Sequence, residues 1–390
     1  MSGFGFHTLA LLVVVGLAGP ILAATPGLRI PVVTGELLAG IALGKSGFGV
    51  LNTTDPTFTV FADIGFALVM FVVGTHVPVR DVALRSAIPA ALTRAALVGV
   101  ISAALGVGVA TAFDTGHAAL YAVLMASSSA ALALPVIDGL GLSGPPVLSV
   151  TAQIATADTA CIVLLPLVID PGRALTAALG AAGVAACAAL AFVVLRAAER
   201  SGWRKRLHNL SEEHRWALEL RISLAILFGL AALAVTTHVS VMLAGFALGL
   251  VIAGIGVPRR LARQLFGITE GLFGPLFFVW LGASLQIRDL GVQPRFIVLG
   301  VVLGIGAILA HAAGRLLKQP LLLAILSASQ LGVPVAAAAI GAQSHLLQPG
   351  EPAAVMLGAL LTVASTSIAG ALAARTKTPN RQRNTSGNSE

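Results

Sequence analysis

One carboxylate lies deep inside a long apolar run, Thr151-Ala-Gln-Ile-Ala-Thr-Ala-Asp-Thr-Ala-Cys161, and that residue is Asp158. An acid at mid-bilayer depth is unfavourable and is by default a functional-site candidate whose partner must be named. Thr151 precedes it by two helical turns on nearly the same face, and Thr156 and Thr159 flank it. Burial penalises the charged form of a carboxylate. A group that releases a proton before accepting a cation is the minimal element of an exchange site. Two clusters offer neutral oxygens, Ser127-Ser128-Ser129 and Ser327-Ala-Ser329-Gln330. Hard cations take oxygen ligands, and such side chains also satisfy backbone groups freed where a membrane helix breaks. Between packed helices the same residues serve as hydrogen-bonding glue. His311, in Ile308-Leu-Ala-His-Ala-Ala-Gly314, is an imidazole well inside a later apolar run. It could be a protonated partner of Asp158, a neutral proton relay or a packing residue.

The composition says what must hold these groups. The 390 residues are 57% hydrophobic and 10% charged, with 43 glycines and a mean hydropathy of +0.95. A soluble domain carries roughly 25% charge. Abundant small residues suit membrane helices whose backbones approach closely. The net charge of +8 does not indicate nucleic acid, because the basic residues are dispersed between apolar spans. Cys161 and Cys187 both fall within spans and supply neither a disulfide framework nor metal-ligand spacing. No HExxH, P-loop or GxSxG pattern is present, so neither an enzyme nor a cofactor is expected.

Hydropathy and the Gly, Pro and charge breaks predict thirteen spans, near 4–24, 30–46, 57–78, 86–113, 117–137, 146–169, 172–197, 215–237, 239–257, 265–286, 295–317, 319–345 and 352–374. The first has no Lys or Arg before its apolar core and reads as a membrane helix, not a signal peptide. The polar tail after Arg375 is expected to be disordered. With the N-terminus outside, cytoplasmic loops and the tail hold eighteen of the 24 basic residues. Four (Lys45, Arg173, Arg288 and Arg295) fall outside, and Arg94 and Arg221 lie within spans. That bias predicts N-out, C-in and an odd number of spans. If spans 1–6 and 8–13 are repeats joined by span 7, the second copy is inverted. Inverted repeats with interrupted helices mark transporters, and the interruptions point at the binding site. The serine clusters, followed by Pro135 and Pro334, fall in the fifth member of each copy.

Several stretches together resemble one family. They are Pro31-Val-Val-Thr-Gly35-Glu36-Leu-Leu-Ala-Gly40-Ile-Ala-Leu-Gly44-Lys-Ser46-Gly47, Asp63-Ile-Gly-Phe-Ala-Leu-Val-Met-Phe71-Val-Val-Gly74, Ser127-Ser-Ser-Ala-Ala-Leu-Ala-Leu-Pro135-Val, and Phe273-Gly-Pro275-Leu-Phe277-Phe278-Val-Trp-Leu-Gly282. The chain is similar over residues 5–374 to the monovalent cation/proton antiporter superfamily, its Kef/NapA-like sodium/proton exchanger group. The resemblance implies an all-α integral membrane fold of thirteen helices, NhaA-like, with inverted repeats and two interrupted crossing helices. It implies a homodimer whose panel comprises helices 1–3 (residues 1–85) and 8–10 (215–290). Core helices 4–6 (86–170) and 11–13 (291–374) would carry the ion, with linker helix 7 and a basic loop at 171–214 and a tail at 375–390.

By motif position the family's essential aspartate is Asp158. The Asn, Asp or Gln usual just before it is here Ala157, and the lysine of many relatives' eleventh helix has His311 as its nearest counterpart. The expected activity is exchange of Na⁺ or K⁺ for H⁺ in the inner (plasma) membrane, electroneutral with a single carboxylate. Asp158 would be the switch, and Thr156, Ser127, Ser128, Ser129, Ser329, Gln330 and His311 the surrounding ion- and proton-binding groups. The partners would be the cation, the proton and membrane lipid. Two alternatives remain open at this point: transport of a small organic solute on the same architecture, and a non-transporting membrane sensor.

Overall fold

The computed structural model describes residues 5–25, 32–77, 79–80, 82–169, 171–203, 206, 210, 213–214, 216–237, 239–284, 288, 293–343 and 346–377. The expected disordered tail beyond Lys377 lies outside the described residues, as do Arg29, Arg204, Lys205, Arg215, Arg381 and Arg383 of the charge count.

In chain order the helices are α1 (Phe6–Gly16), α2 (Ala18–Ala24), α3 (Val32–Leu43), α4 (Pro56–His76), α5 (Val82–Phe113), α6 (Ala118–Ala126), α7 (Ala130–Gly139), α8 (Pro145–Ile169) and α9 (Ala174–Arg200). There follow α10 (Leu218–Thr236), α11 (Val241–Ile255), α12 (Arg259–Ile268), α13 (Gly274–Ser284), α14 (Pro294–Ala312), α15 (Leu321–Leu326), α16 (Gly332–Gln343) and α17 (Glu351–Lys377). No strand occurs among the described residues. Among the described residues ten helical stretches are long and apolar enough to cross a membrane, and two shorter apolar helices, α3 and α11, accompany them. The chain is an all-helical integral membrane protein.

The helices form two compact units. The first comprises Met1–Asp81 and Ile162–Arg288. Its helices pack through missing side chains. A methyl group added at Gly249 of α11 would lie 2.5 Å from the Phe71 carbonyl oxygen and 2.6 Å from the Gly74 Cα of α4. One added at Gly282 of α13 would strike the Leu37 carbonyl of α3. Close approach of this kind is how helices associate where lipid tails are as apolar as leucine. Helix α4 starts cleanly: Asp55 accepts from the Thr57 and Phe58 amides at 2.9 and 3.3 Å, and Pro56 occupies the first helical position. Glu36 of α3 is buried in this unit, whereas Asp63 of α4 is exposed.

The second unit comprises Val82–Cys161 and Asp289–Glu390. Helix α14 packs on α5, α6 and α17, and α17 also packs on α7, α15 and α16. Two of its elements are interrupted. Residues Ser127–Ser129 leave the helical conformation between α6 and α7, with extended backbone at Ser127 and Ser129. The chain opens again between the end of α15 at Leu326 and the start of α16 at Gly332. Pro135 and Pro334 lie inside the second halves, α7 and α16, and not at the breaks themselves. Serine competes for the backbone's hydrogen bonds, and both breaks begin the same way. Ser127 Oγ donates to the Leu124 carbonyl, and Ser327 Oγ to the Ala324 carbonyl, each at 2.7 Å.

Candidate ion and proton site

All the groups around the breaks belong to the second unit. Asp158, on α8, is 2% exposed, and its Oδ2 accepts the amide proton of Ala130, the first residue of α7, at 2.9 Å. A helix N-terminus presents unpaired N–H groups and the positive end of its dipole, so it favours an anion at that point. That is the sole compensation visible for this charge: among the described residues Asp158 has no ion pair. A buried carboxylate with one amide donor needs a proton or a cation to complete its neutralisation.

The two breaks are tied directly to one another. Ser128 Oγ donates to the Ser327 carbonyl at 2.7 Å, and Ser329 Oγ to the Ser129 carbonyl at 3.3 Å. Gln330 Nε2 donates to the Leu124 carbonyl at 2.6 Å, across from the second break to the end of α6. Ser127, Ser128, Ser129, Ser327, Ser329 and Gln330 are all buried. Freed backbone carbonyls thus find hydroxyl and amide donors, as membrane-depth chain requires.

His311 is buried at the end of α14, with Nδ1 3.0 Å from the Ala307 carbonyl of its own helix and Nε2 3.4 Å from Ser128 Oγ. The carbonyl can only accept, so Nδ1 carries the proton in that bond. His311 therefore reaches the first break through Ser128, two residues from the amide that binds Asp158. Thr156 and Thr159 turn back on α8, each donating at 2.8 Å to a carbonyl four residues earlier, Ala152 and Ala155. Ala157 is buried beside the carboxylate.

The transmembrane sodium/hydrogen exchanger family profile matches residues 10–374. The chain belongs to that family. Within it, the chain is 30% identical over 335 residues to the Na⁺/H⁺ antiporter NhaS5 of Synechocystis, covering 81% of this chain and 47% of that protein. It is 27% identical over 307 residues to the glutathione-regulated potassium-efflux system protein KefC of Enterobacter, covering 76% and 48%. This exchanger-family chain therefore spans about half the length of these relatives. Its fold is similar to that of the sodium proton antiporter MjNhaP1 from Methanocaldococcus jannaschii, with a TM-score of 0.68 at 17% identity, covering 96% of this chain and 98% of that one.

Several polar contacts of this family member escape a reading of the sequence. The Gln330 amide donates to Thr362 Oγ1 at 3.1 Å, and Thr366 Oγ1 donates to the Leu326 carbonyl at 3.4 Å. Gln319 Nε2 donates to Gln153 Oε1 at 2.9 Å, and Arg94 Nη1 to Ser149 Oγ at 2.7 Å, both joining α8 to other parts of the unit. The four-residue spacing of Thr362 and Thr366 places both on one helix face without indicating what that face meets.

Proposed function

We propose that the chain is a secondary antiporter exchanging Na⁺ or K⁺ for H⁺ by alternating access, with Asp158 as the proton/cation switch. The observation that carries this is the carboxylate of Asp158 held on the first amide of α7, buried, beside a chain break and without a basic partner among the described residues. Deprotonated Asp158 binds the cation, and oxygens of the Ser127–Ser129 and Ser327–Gln330 segments complete its shell. Protonation then displaces the ion. Either loaded form is neutral, so the site crosses the membrane loaded, whereas the empty carboxylate carries an uncompensated charge that hydrocarbon rejects. One carboxylate serving both ions gives electroneutral exchange.

The architecture we assign is thirteen spans in two inverted repeats. The ten long helices, the two shorter apolar helices and the broken α15–α16 pair support that count. The matching serine devices at the two breaks support the repeat. We assign the second unit as the ion-carrying core and residues 1–85 and 215–290 as the panel of a homodimer. The termini lie N-out and C-in in the plasma membrane, as the Lys and Arg distribution supports.

The test is reconstitution into sealed vesicles with a trapped pH-sensitive dye and pulses of Na⁺, K⁺ and Li⁺. Wild type releases protons with one or more of these ions and Asp158→Asn does not. Undiminished exchange by the asparagine variant would sink the switch. A wild type silent to every cation would sink the antiporter.

A further inference from the structure

Helix α17 contributes none of the groups that sequence reasoning assigned to the site, yet three of its side chains hold both broken elements. Near its start, Glu351 is fully buried and its Oε1 lies 2.6 Å from His117 Nδ1 and 2.6 Å from the Tyr121 hydroxyl. His117 precedes α6 directly and Tyr121 lies one turn inside it. The other oxygen, Oε2, accepts the Gln348 amide at 2.9 Å, so the carboxylate is fully engaged. Thr362 follows eleven residues later, about three turns and hence on the same face. Its Oγ1 donates to the Ala359 carbonyl at 2.7 Å and accepts the Gln330 amide at 3.1 Å. One turn further, Thr366 Oγ1 reaches the Leu326 carbonyl at 3.4 Å. The first of these contacts grips the half-helix that runs into the first break, and the other two grip the second break on both sides.

We propose that α17 is a positioning spine, with Glu351, Thr362 and Thr366 as positioning residues that set the two unwound segments in register for cation coordination. The proposal rests on the exchange reading above and deepens it. An unwound backbone cannot hold its own carbonyls at fixed places, because it lacks the i→i−4 ladder that does so in a helix. Cation ligands must be held to a fraction of an ångström by residues that are themselves fixed. Thr362 fixes the Gln330 amide, while the Gln330 side chain spans to the Leu124 carbonyl at 2.6 Å. One hydroxyl on α17 therefore governs the spacing between the segments. Glu351 fixes the outer reference for the same spacing, because α6 carries Leu124 and leads straight into Ser127.

Thr362→Val keeps the shape of the side chain and removes the hydroxyl, whereas Thr362→Ser keeps the hydroxyl. In vesicles that show wild-type exchange, Thr362→Val should raise the apparent KM for the cation about tenfold with maximal turnover within about twofold, and Thr362→Ser should restore the wild-type KM. Glu351→Gln, which retains an acceptor for Tyr121, should raise KM by about threefold. A purely structural threonine would lower the amount of folded protein and leave KM unmoved. Should Thr362→Val not fold, Thr366→Val and the cation concentration that half-stabilises each variant against heating give the same comparison. An unchanged KM, and unchanged half-stabilising concentration, in folded Thr362→Val and Thr366→Val would overturn the spine while leaving the exchange reading intact. A wild type that answers to no cation would instead overturn the exchange reading, and this inference with it.

Discussion

The two chain breaks of the second unit begin alike and end differently. Each opens with a serine donating to the carbonyl three residues back, at 2.7 Å in both. The first break then meets a charge, since the amide that restarts its helix at Ala130 is bound by Asp158. The second meets only neutral groups: Thr362 accepts its Gln330 amide, Thr366 donates to its Leu326 carbonyl and Ser128 to its Ser327 carbonyl. The same local device has been given opposite electrostatic surroundings. One break holds a buried carboxyl that can carry a charge, and the other is a scaffold of oxygens satisfied by neutral hydrogen bonds. A buried ion is far more demanding than a buried hydroxyl, which is satisfied by one partner.

That asymmetry can be broken or sharpened by substitution, and the expected effects fall in order. Asp158→Asn removes the charge and should lower cation-driven proton release by more than about a hundredfold, read from dye quenching in vesicles at matched protein density. Gln330→Leu removes the amide that spans the breaks, while the Leu124 carbonyl keeps its Ser127 donors. About tenfold lower exchange is expected, and a loss as deep as that of Asp158→Asn would show that the second break carries chemistry of its own. Ser128→Ala, which frees the Ser327 carbonyl, should reduce initial exchange rates by about fivefold. Ser329→Ala removes a longer contact of 3.3 Å, and about a twofold decrease is expected in the same assay. Thr156→Val should be the mildest, within about twofold of wild type, because its hydroxyl donates to Ala152 of its own helix. A large loss there would mean that Thr156 turns toward Asp158 during the cycle.

Much of this is legible in the sequence. Apolar spans are recognised from composition because hydrocarbon tolerates little else, and the helical membrane class follows from that alone. The breaks were visible as serine clusters inside apolar runs, though the prolines beside them pointed a few residues too far along. Asp158 stood out because an acid in such a run is rare. The supporting contacts were less visible. Thr156 is adjacent to Asp158 in sequence, yet its hydroxyl is bound to its own helix, whereas Thr362 and Thr366 lie some two hundred residues away and contact the unwound chain through packing. Arg94, noted only as a basic residue within a span, joins α8 through Ser149.

The division has a physical basis. Transfer of a residue into hydrocarbon is a property of that residue and its immediate neighbours, so the spans, the small-residue packing and the carboxylate within an apolar run were determined by the sequence itself. A hydrogen bond depends on distance and direction at the scale of an ångström. Which amide would face Asp158, and which hydroxyls would hold the second break, were decided only when α7 met α8 and α17 met the break between α15 and α16.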